Sequence, residues 1–347
     1  MRHLAGRNDT ITGLRGLLAS SVVLYHVYTG AVDDGILKAD YIPRIGEMVG
    51  PLAVCLFFVI SGYLIPQSLV RHGSIRKFAI DRALRIYPVF LIIHLLIFAI
   101  GPVIGYKWFQ GITAPEYILH FVSNLLFLPG VFDLPIAQIV AWSLSYEAAF
   151  YLIMGAGYYI LKGKGWRYAL LPIPLAASAW LIWKDPAFLF FVAGILLGIG
   201  KLPARLPQFT RLDGLAALVF ACLLYDPDFI YGSLICAFVF FHTVARQYGY
   251  LSAFLRTRPL IWLGNISYSL YLWHTFVMFP VKRIVIALDL PNEWIGLTAF
   301  GIVSVAGSLL VSHFSYHWIE VKFTRLVRQR IRSSAGAQTA HAHAVRR

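Results

Sequence analysis

The sequence predicts an all-α integral membrane protein, with about ten transmembrane helices around a central polar cavity or tunnel. Three observations carry that reading. The chain of 347 residues is 59% hydrophobic and only 13% charged, with a mean hydropathy of +0.70, more apolar surface than a water-facing fold can bury, so it must use lipid. Apolar windows of about 20 residues, the length of a bilayer crossing, recur along the whole chain. The basic residues between those windows fall overwhelmingly on one side.

Taken in order, the windows lie near residues 11–30, 49–70, 85–105, 136–160, 168–183, 187–200, 212–225, 229–246, 259–281 and 294–318. The first lacks a small-residue cleavage site and is read as a span, with no separate signal peptide. Those at 168–183, 187–200 and 212–225 are short and are expected to tilt, pair as broken helices or thin the bilayer. Ten crossings put both termini on the same side, which then holds 24 of the 30 Lys and Arg; Lys38, Arg44, Lys107, Lys184, Lys282 and Arg283 lie opposite. The positive-inside rule makes the termini cytoplasmic, in a plasma (inner) membrane. Eleven of the 16 acids fall on the outer side, and Glu147 is left inside a span. The net charge of +14 thus follows the loops, which argues against nucleic acid as a partner. Cys55, Cys222 and Cys236 sit in apolar runs without metal spacing and read as small packing residues.

Residues 1–325 are expected to form one transmembrane domain. Within it, 106–135 is a long outer connection whose apolar patch, Tyr117 to Pro129, is too short to span and reads as a re-entrant or interfacial helix that caps an outward cavity. Residues 326–347 form a basic cytoplasmic tail, expected to extend the last helix along the anionic leaflet from Arg325 onward and to end partly disordered.

Ionisable groups within apolar helices are costly, and by default mark function. In Ile11 to Gly30, Arg15 and His26 are eleven residues apart; at about 100° each they share one face, about 16 Å apart along the axis. A snorkelling Arg and a helix-bridging His are the plainer reading of that pair. Before the third window, Arg71, Arg76, Lys77, Arg82 and Arg85 form a cationic cluster. Topology marking accounts for the first three, whereas Arg82 and Arg85, at i and i+3, form a guanidinium fork suited to phosphate oxygens. Glu147, with Ser143 one turn before it, needs a cation or imidazole partner, His26 or an arginine; an ion pair that only fixes packing is the alternative. His274 lies about as deep as His26, so the two are expected to face one cavity. His313 and His317 have metal-like spacing but no third-ligand motif, and packing or capping explains them better. No metal is expected.

Several of these segments occur in a familiar order: Arg15 with His26; Phe57 to Ile65 (FFVISGYLI); Arg82-Ala83-Leu84-Arg85 running into Ile86-Tyr87-Pro88; Trp142-Ser143-Leu144 to Glu147; Ile266 to His274 (ISYSLYLWH); and Ser315 to Glu320 (SYHWIE). Together they resemble the acyltransferase-3 family of transmembrane acyltransferases over roughly residues 9–325. The resemblance implies O-acyl transfer, of acetyl and sometimes succinyl or longer groups, from cytoplasmic acyl-CoA to a hydroxyl of an extracytoplasmic or lipid-linked glycan. Many members carry a proline after the last Glu, where this chain runs Ile319-Glu320-Val321-Lys322, so the exit of the last helix is expected to differ. The chain shows no appended hydrolase-like domain, and its membrane domain is expected to complete the transfer alone.

Residues and resemblance together give Arg15, Arg82 and Arg85 as the binding site for the phosphates of acyl-CoA, with acetyl-CoA the leading donor. His26 is the expected general base or, less favoured, the nucleophile, and Glu147 the group that fixes its tautomer. Two rivals remain at this level: a transporter or flippase of lipid-linked saccharides, and a haem carrier using His26 and His274.

Overall fold

Asn8 starts the first helix by accepting hydrogen bonds from the backbone N–H groups of Thr10 and Ile11, at 3.1 and 3.2 Å, two of the donors a helix N-terminus leaves free. From that cap, α1 (Asp9–Asp33) runs 25 residues. The computed structural model describes residues 8–38, 44–199, 210–227, 229–331 and 333. They continue as α2 (Arg44–His72), α3 (Ile75–Ile104), α4 (Ala114–Leu125), α5 (Ala141–Leu161), α6 (Pro172–Lys184), α7 (Leu189–Ile199), α8 (Asp213–Leu223), α9 (Tyr231–Ala245), α10 (Gly249–Leu255), α11 (Arg258–Ala287) and α12 (Glu293–Ser315). A π-helical stretch, Tyr316–Phe323, follows, and the helix runs on to Ile331. No β-strand occurs among the described residues.

Four of these helical stretches are both long and apolar enough to cross a membrane: Met48–His72, Ile75–Ile104, Arg258–Ala287 and Glu293–Ile331. α1 and α5 have the length, at 25 and 21 residues, but carry more polar side chains. The windows at 168–183, 187–200, 212–225 and 229–246 fold as helices of 13, 11, 11 and 15 residues, short of the ~20 that cross a bilayer. α3 also begins ten residues before its window, so Arg82 and Arg85 lie inside a helix rather than at its mouth.

α1 packs chiefly on α11 and then on α2; α11 packs on α12, and α2 on α7. The α1–α11 seam is backbone against backbone. A Cβ on Gly264 would sit 1.8 Å from the Thr12 carbonyl oxygen, and one on Gly16 would sit 2.4 Å from that of Leu260. Small residues drive such approaches where lipid removes the hydrophobic incentive to associate. The seam fixes Arg15 and His26 relative to the motif on α11.

In the connection between α3 and α5, α4 is a 12-residue helix closed by a Thr113–Glu116 capping box, as expected of a segment too short to span. Tyr117 Oη donates to the Phe98 carbonyl at 2.7 Å and ties it to α3. The part of the tail beyond residue 333 lies outside the described residues.

Candidate functional site

Three helices deliver the predicted arginines to one place. Arg15 from α1 and Arg82 and Arg85 from α3 line a cleft of about 90 Å³, together with Glu147 and Tyr151 from α5, Ser61 from α2, and Tyr268 and Tyr271 from α11. The charged neighbours of Arg15 are Arg85, Glu320 and Glu147. Arg82 is braced by Asp81, 2.7 Å away, which also holds Arg328 at 2.6 Å, and its guanidinium lies over the rings of Phe78 and Tyr151. Arg85, exposed, has no carboxylate of its own among the described ion pairs. A cleft rimmed by three guanidiniums, of which only Arg82 has a carboxylate within ion-pair distance among the described residues, suits an anion with several oxygens.

Glu147 belongs to this cleft and not to His26. Its carboxylate accepts from Ser61 Oγ at 3.1 Å and from the Tyr151 hydroxyl one turn further along α5. The expectation that it fixes the His26 tautomer is therefore corrected. The reason lies in the packing: α5 sits on α2, α3 and α6, which aims Glu147 at the arginine end of α1.

His26 lies at the other end and lines a second cavity, of about 670 Å³, with Tyr25, Thr29, Asp33, Asp34, Lys107 and Lys282 among its walls. His274 meets it, with His274 Nε2 3.2 Å from His26 Nδ1, but it is fully buried and lines neither cavity, so the two do not share one as expected. The network sets both tautomers. His274 Nδ1 lies 3.0 Å from the Leu270 carbonyl, so it carries the proton and leaves Nε2 as an acceptor. His26 Nδ1, 3.0 Å from the Val22 carbonyl, must then be the protonated nitrogen and donate to both. His26 Nε2 is left with its lone pair, and His274, with no exposed surface, serves wholly as a support.

The two cavities are distinct, where the sequence led us to expect one tunnel. Tyr271 lines the arginine cleft while its ring contacts His274, with centroids 6.1 Å apart. Phe57 packs edge-on against it, at 6.2 Å. The Tyr271 hydroxyl is pinned to Ser143 Oγ at 2.7 Å and donates to the Val140 carbonyl at 3.2 Å. These aromatic rings form the partition between the ends.

Sequence reasoning assigned no role to Glu320, and the structure gives it one. Its carboxylate accepts from the Ser269 hydroxyl at 2.5 Å and from the Ser269 backbone N–H at 3.1 Å, and Ser269 Oγ lies 2.9 Å from Ser315 Oγ. This fastens the π-helical stretch to α11. With no proline after Glu320 the helix does not break but continues through Phe323. His313 and His317 meet with their rings tilted by 47° and centroids 4.3 Å apart, and no cluster of three His, Cys, Asp or Glu is present among the described residues. Ser61, Ser269, Tyr271 and Glu320 all fall inside the quoted motifs; only the folded chain separates them from their neighbours.

Comparison with known proteins shows the family. A family model described as an acyltransferase domain, of the acyltransferase-3 family, matches residues 8–313. The chain is 24% identical over 363 residues to the peptidoglycan O-acetyltransferase OatA of Listeria monocytogenes, covering 90% of this chain and 55% of OatA. It is 27% identical over 316 residues to the exopolysaccharide production protein ExoZ of Rhizobium meliloti, covering 83% and 93%, and 24% identical over 303 residues to an O-acetyl transferase of Shigella phage Sf6, covering 80% and 86%. The chain spans about half the length of several of the curated relatives it matches, OatA among them. No solved structure matches it. The matched region takes in Arg15, His26, the arginine cleft and the histidine pair, and the chain belongs to the acyltransferase-3 family.

Proposed function

We propose that this protein is a membrane O-acyltransferase that moves an acyl group, acetyl before succinyl, from cytoplasmic acyl-CoA to a hydroxyl of a glycan on the far side of the membrane. The observation that carries the reading is the separation of anion-binding and basic groups along one helix. Arg15, Arg82 and Arg85 share a cleft at one end of α1, and His26, whose Nε2 is free to take a proton, lines a cavity at the other. The relatives, named for O-acetyl transfer, favour the same reading over a transporter or a haem carrier.

In this scheme both termini are cytoplasmic in an inner membrane, the shorter helices complete about ten crossings, and the arginine cleft opens to the cytoplasm. The lopsided count of Lys and Arg supports that orientation. The nucleotide phosphates bind Arg85, Arg15 and Arg82, with Glu147 as the counter-charge that keeps the guanidiniums from repelling one another. The pantetheine arm, about 15–20 Å long, covers the ~16 Å from Arg15 to His26. It passes where Phe57 and Tyr271 meet, so the Tyr271 ring swings aside as the donor enters.

At the histidine pair, His26 Nε2 takes the proton from the acceptor hydroxyl as its oxygen attacks the thioester carbonyl. The C–O bond forms, the C–S bond breaks, and the departing CoA thiolate takes the proton back from His26. His274 Nε2, already on the Nδ1–H, steadies the imidazolium in between, in the place a carboxylate holds in other triads.

The test is reconstitution. Purified protein in proteoliposomes, given acetyl-CoA on the arginine side and an acyl-free glycan on the other, should add one acetyl mass to the glycan and release CoA in equal amount. Free CoA without acylated glycan, or glycan movement without CoA release, overturns the reading.

A further inference from the structure

The family match ends at residue 313, yet the last helix runs on to Ile331, and this continuation packs on α3. It is fastened at three points. Glu320 is held by Ser269 of α11, the Thr324 hydroxyl lies 3.4 Å from the Leu84 carbonyl oxygen of α3, and Arg328 Nη2 donates to Asp81 Oδ1 of α3 at 2.6 Å. Positions four apart share a helical face, so residues 320, 324 and 328 lay one side of the segment against the wall that carries Arg82 and Arg85.

Asp81 is shared between two cations. Its Oδ2 accepts from Arg82 Nη2 at 2.7 Å and its Oδ1 accepts from Arg328, one oxygen to each guanidinium. The Asp81 and Arg82 side chains are 19% and 17% exposed, whereas that of Arg328 is 45% exposed. Arg82 meanwhile keeps an open donor: its Nε is buried without a hydrogen-bond partner, on a residue that lines the cleft, and an anion's oxygen would satisfy it. A carboxylate with both oxygens free grips a guanidinium through two parallel N–H groups. Without Arg328, Asp81 would bind Arg82 in that way, turning it from the cleft and cancelling its charge. An exposed ion pair adds little to stability; what Arg328 changes is how one carboxylate is divided.

We propose that Arg328 is a positioning residue of the donor site: it occupies one oxygen of Asp81, and so keeps Arg82 available to the phosphates of the donor. The relay runs from the continuation of the last helix, through Asp81, to the cleft wall, and Arg328 itself touches no donor atom. Two guanidiniums on one carboxylate leave a net positive charge beside the cleft, to which Arg15 and Arg85 add theirs. The inference rests on the acyl-CoA reading and extends it to a residue outside the region the family match covers.

The test titrates acetyl-CoA against the full chain in nanodiscs of neutral lipid, for the wild type, Arg328→Gln, Arg328→Lys and Arg325→Gln. Arg325 is the control: exposed and one turn away on the same segment, it takes no part in the ion pairs at Asp81. Arg328→Gln should raise Kd about three- to tenfold, and KM with it while kcat holds, the gap closing as salt is added. Arg328→Lys, which can still pair with Asp81, should recover most of the loss, and Arg325→Gln should stay within about twofold of the wild type. Equal losses in Arg328→Gln and Arg325→Gln make the effect one of basic charge at large and overturn the proposal. Asp81→Asn completes a cycle: on that background Arg328→Gln should change Kd no further, whereas an undiminished loss means that Arg328 meets CoA itself and sinks the relay. A wild type that binds no acetyl-CoA takes down the donor reading and this inference together; a wild type that binds it while Arg328→Gln binds equally well takes down this inference alone.

Discussion

His274 Nε2 and His26 Nδ1 meet at 3.2 Å across the α1–α11 seam, and that contact decides which nitrogen of His26 carries the proton. A phenylalanine at 274 keeps the bulk of the ring and removes the acceptor; a glutamine restores an acceptor oxygen. We expect His274→Phe to lower kcat about a hundredfold with the KM for acetyl-CoA unchanged, and His274→Gln to recover most of the loss. Equal effects of the two substitutions would make His274 a packing residue.

His26→Ala removes the base itself. Turnover should fall by about 10² to 10⁴, while acetyl-CoA binding, measured by calorimetry in detergent, stays within the error of the wild type. A variant that still acylates glycan at the normal rate would take His26 out of the chemistry.

Arg85 is exposed in the arginine cleft without a carboxylate partner, in contrast to Arg82 on Asp81. Arg85→Ala should weaken CoA binding about tenfold to a hundredfold, the value of one or two charge-assisted hydrogen bonds. The gap from the wild type should narrow as salt is added. Binding titrations at low and high ionic strength provide the check.

The Tyr271 hydroxyl holds the partition closed through Ser143 and Val140. Loss of those bonds in Tyr271→Phe should let water through and raise acceptor-independent hydrolysis of acetyl-CoA about two- to tenfold. Release of CoA in the absence of glycan measures it directly.

Gly264 leaves no room for a methyl group, because Thr12 O would lie 1.8 Å from it. Gly264→Ala should therefore destabilise the protein by about 1–3 kcal/mol, as overpacking does. Thermal unfolding in detergent should show a lower midpoint, with acyl transfer reduced as Arg15 and His274 move relative to each other.

The helical membrane architecture was legible from composition and window length, and the arginine cleft from the i, i+3 fork and the pairing of Arg15 with His26 on one face. The partner of His26 was not. From sequence alone, Glu147 looked like the natural support for an imidazole, being the one carboxylate within a span. Which helices touch is decided by backbone contacts at Gly16 and Gly264, and these have no periodicity to read. The same applies to Glu320, whose link to Ser269 spans 51 positions, and to the partition at Tyr271, since a ring in an aromatic-rich helix carries no mark of what it divides. The windows from 168 to 246 fold as helices of 11 to 15 residues, a length the sequence did not show because apolarity reports a preference for lipid and says little about how far a helix runs.

Since the backbones of α1 and α11 touch, Arg15, His26 and His274 travel as a single block. The groups that complete the arginine cleft, on α2, α3 and α5, belong to the other wall. Opening the cleft is then a hinge problem with one stationary side. Spin labels placed on α1 and α11 should keep their separation when CoA is added, while a label on α3 or α5 should draw away from α1.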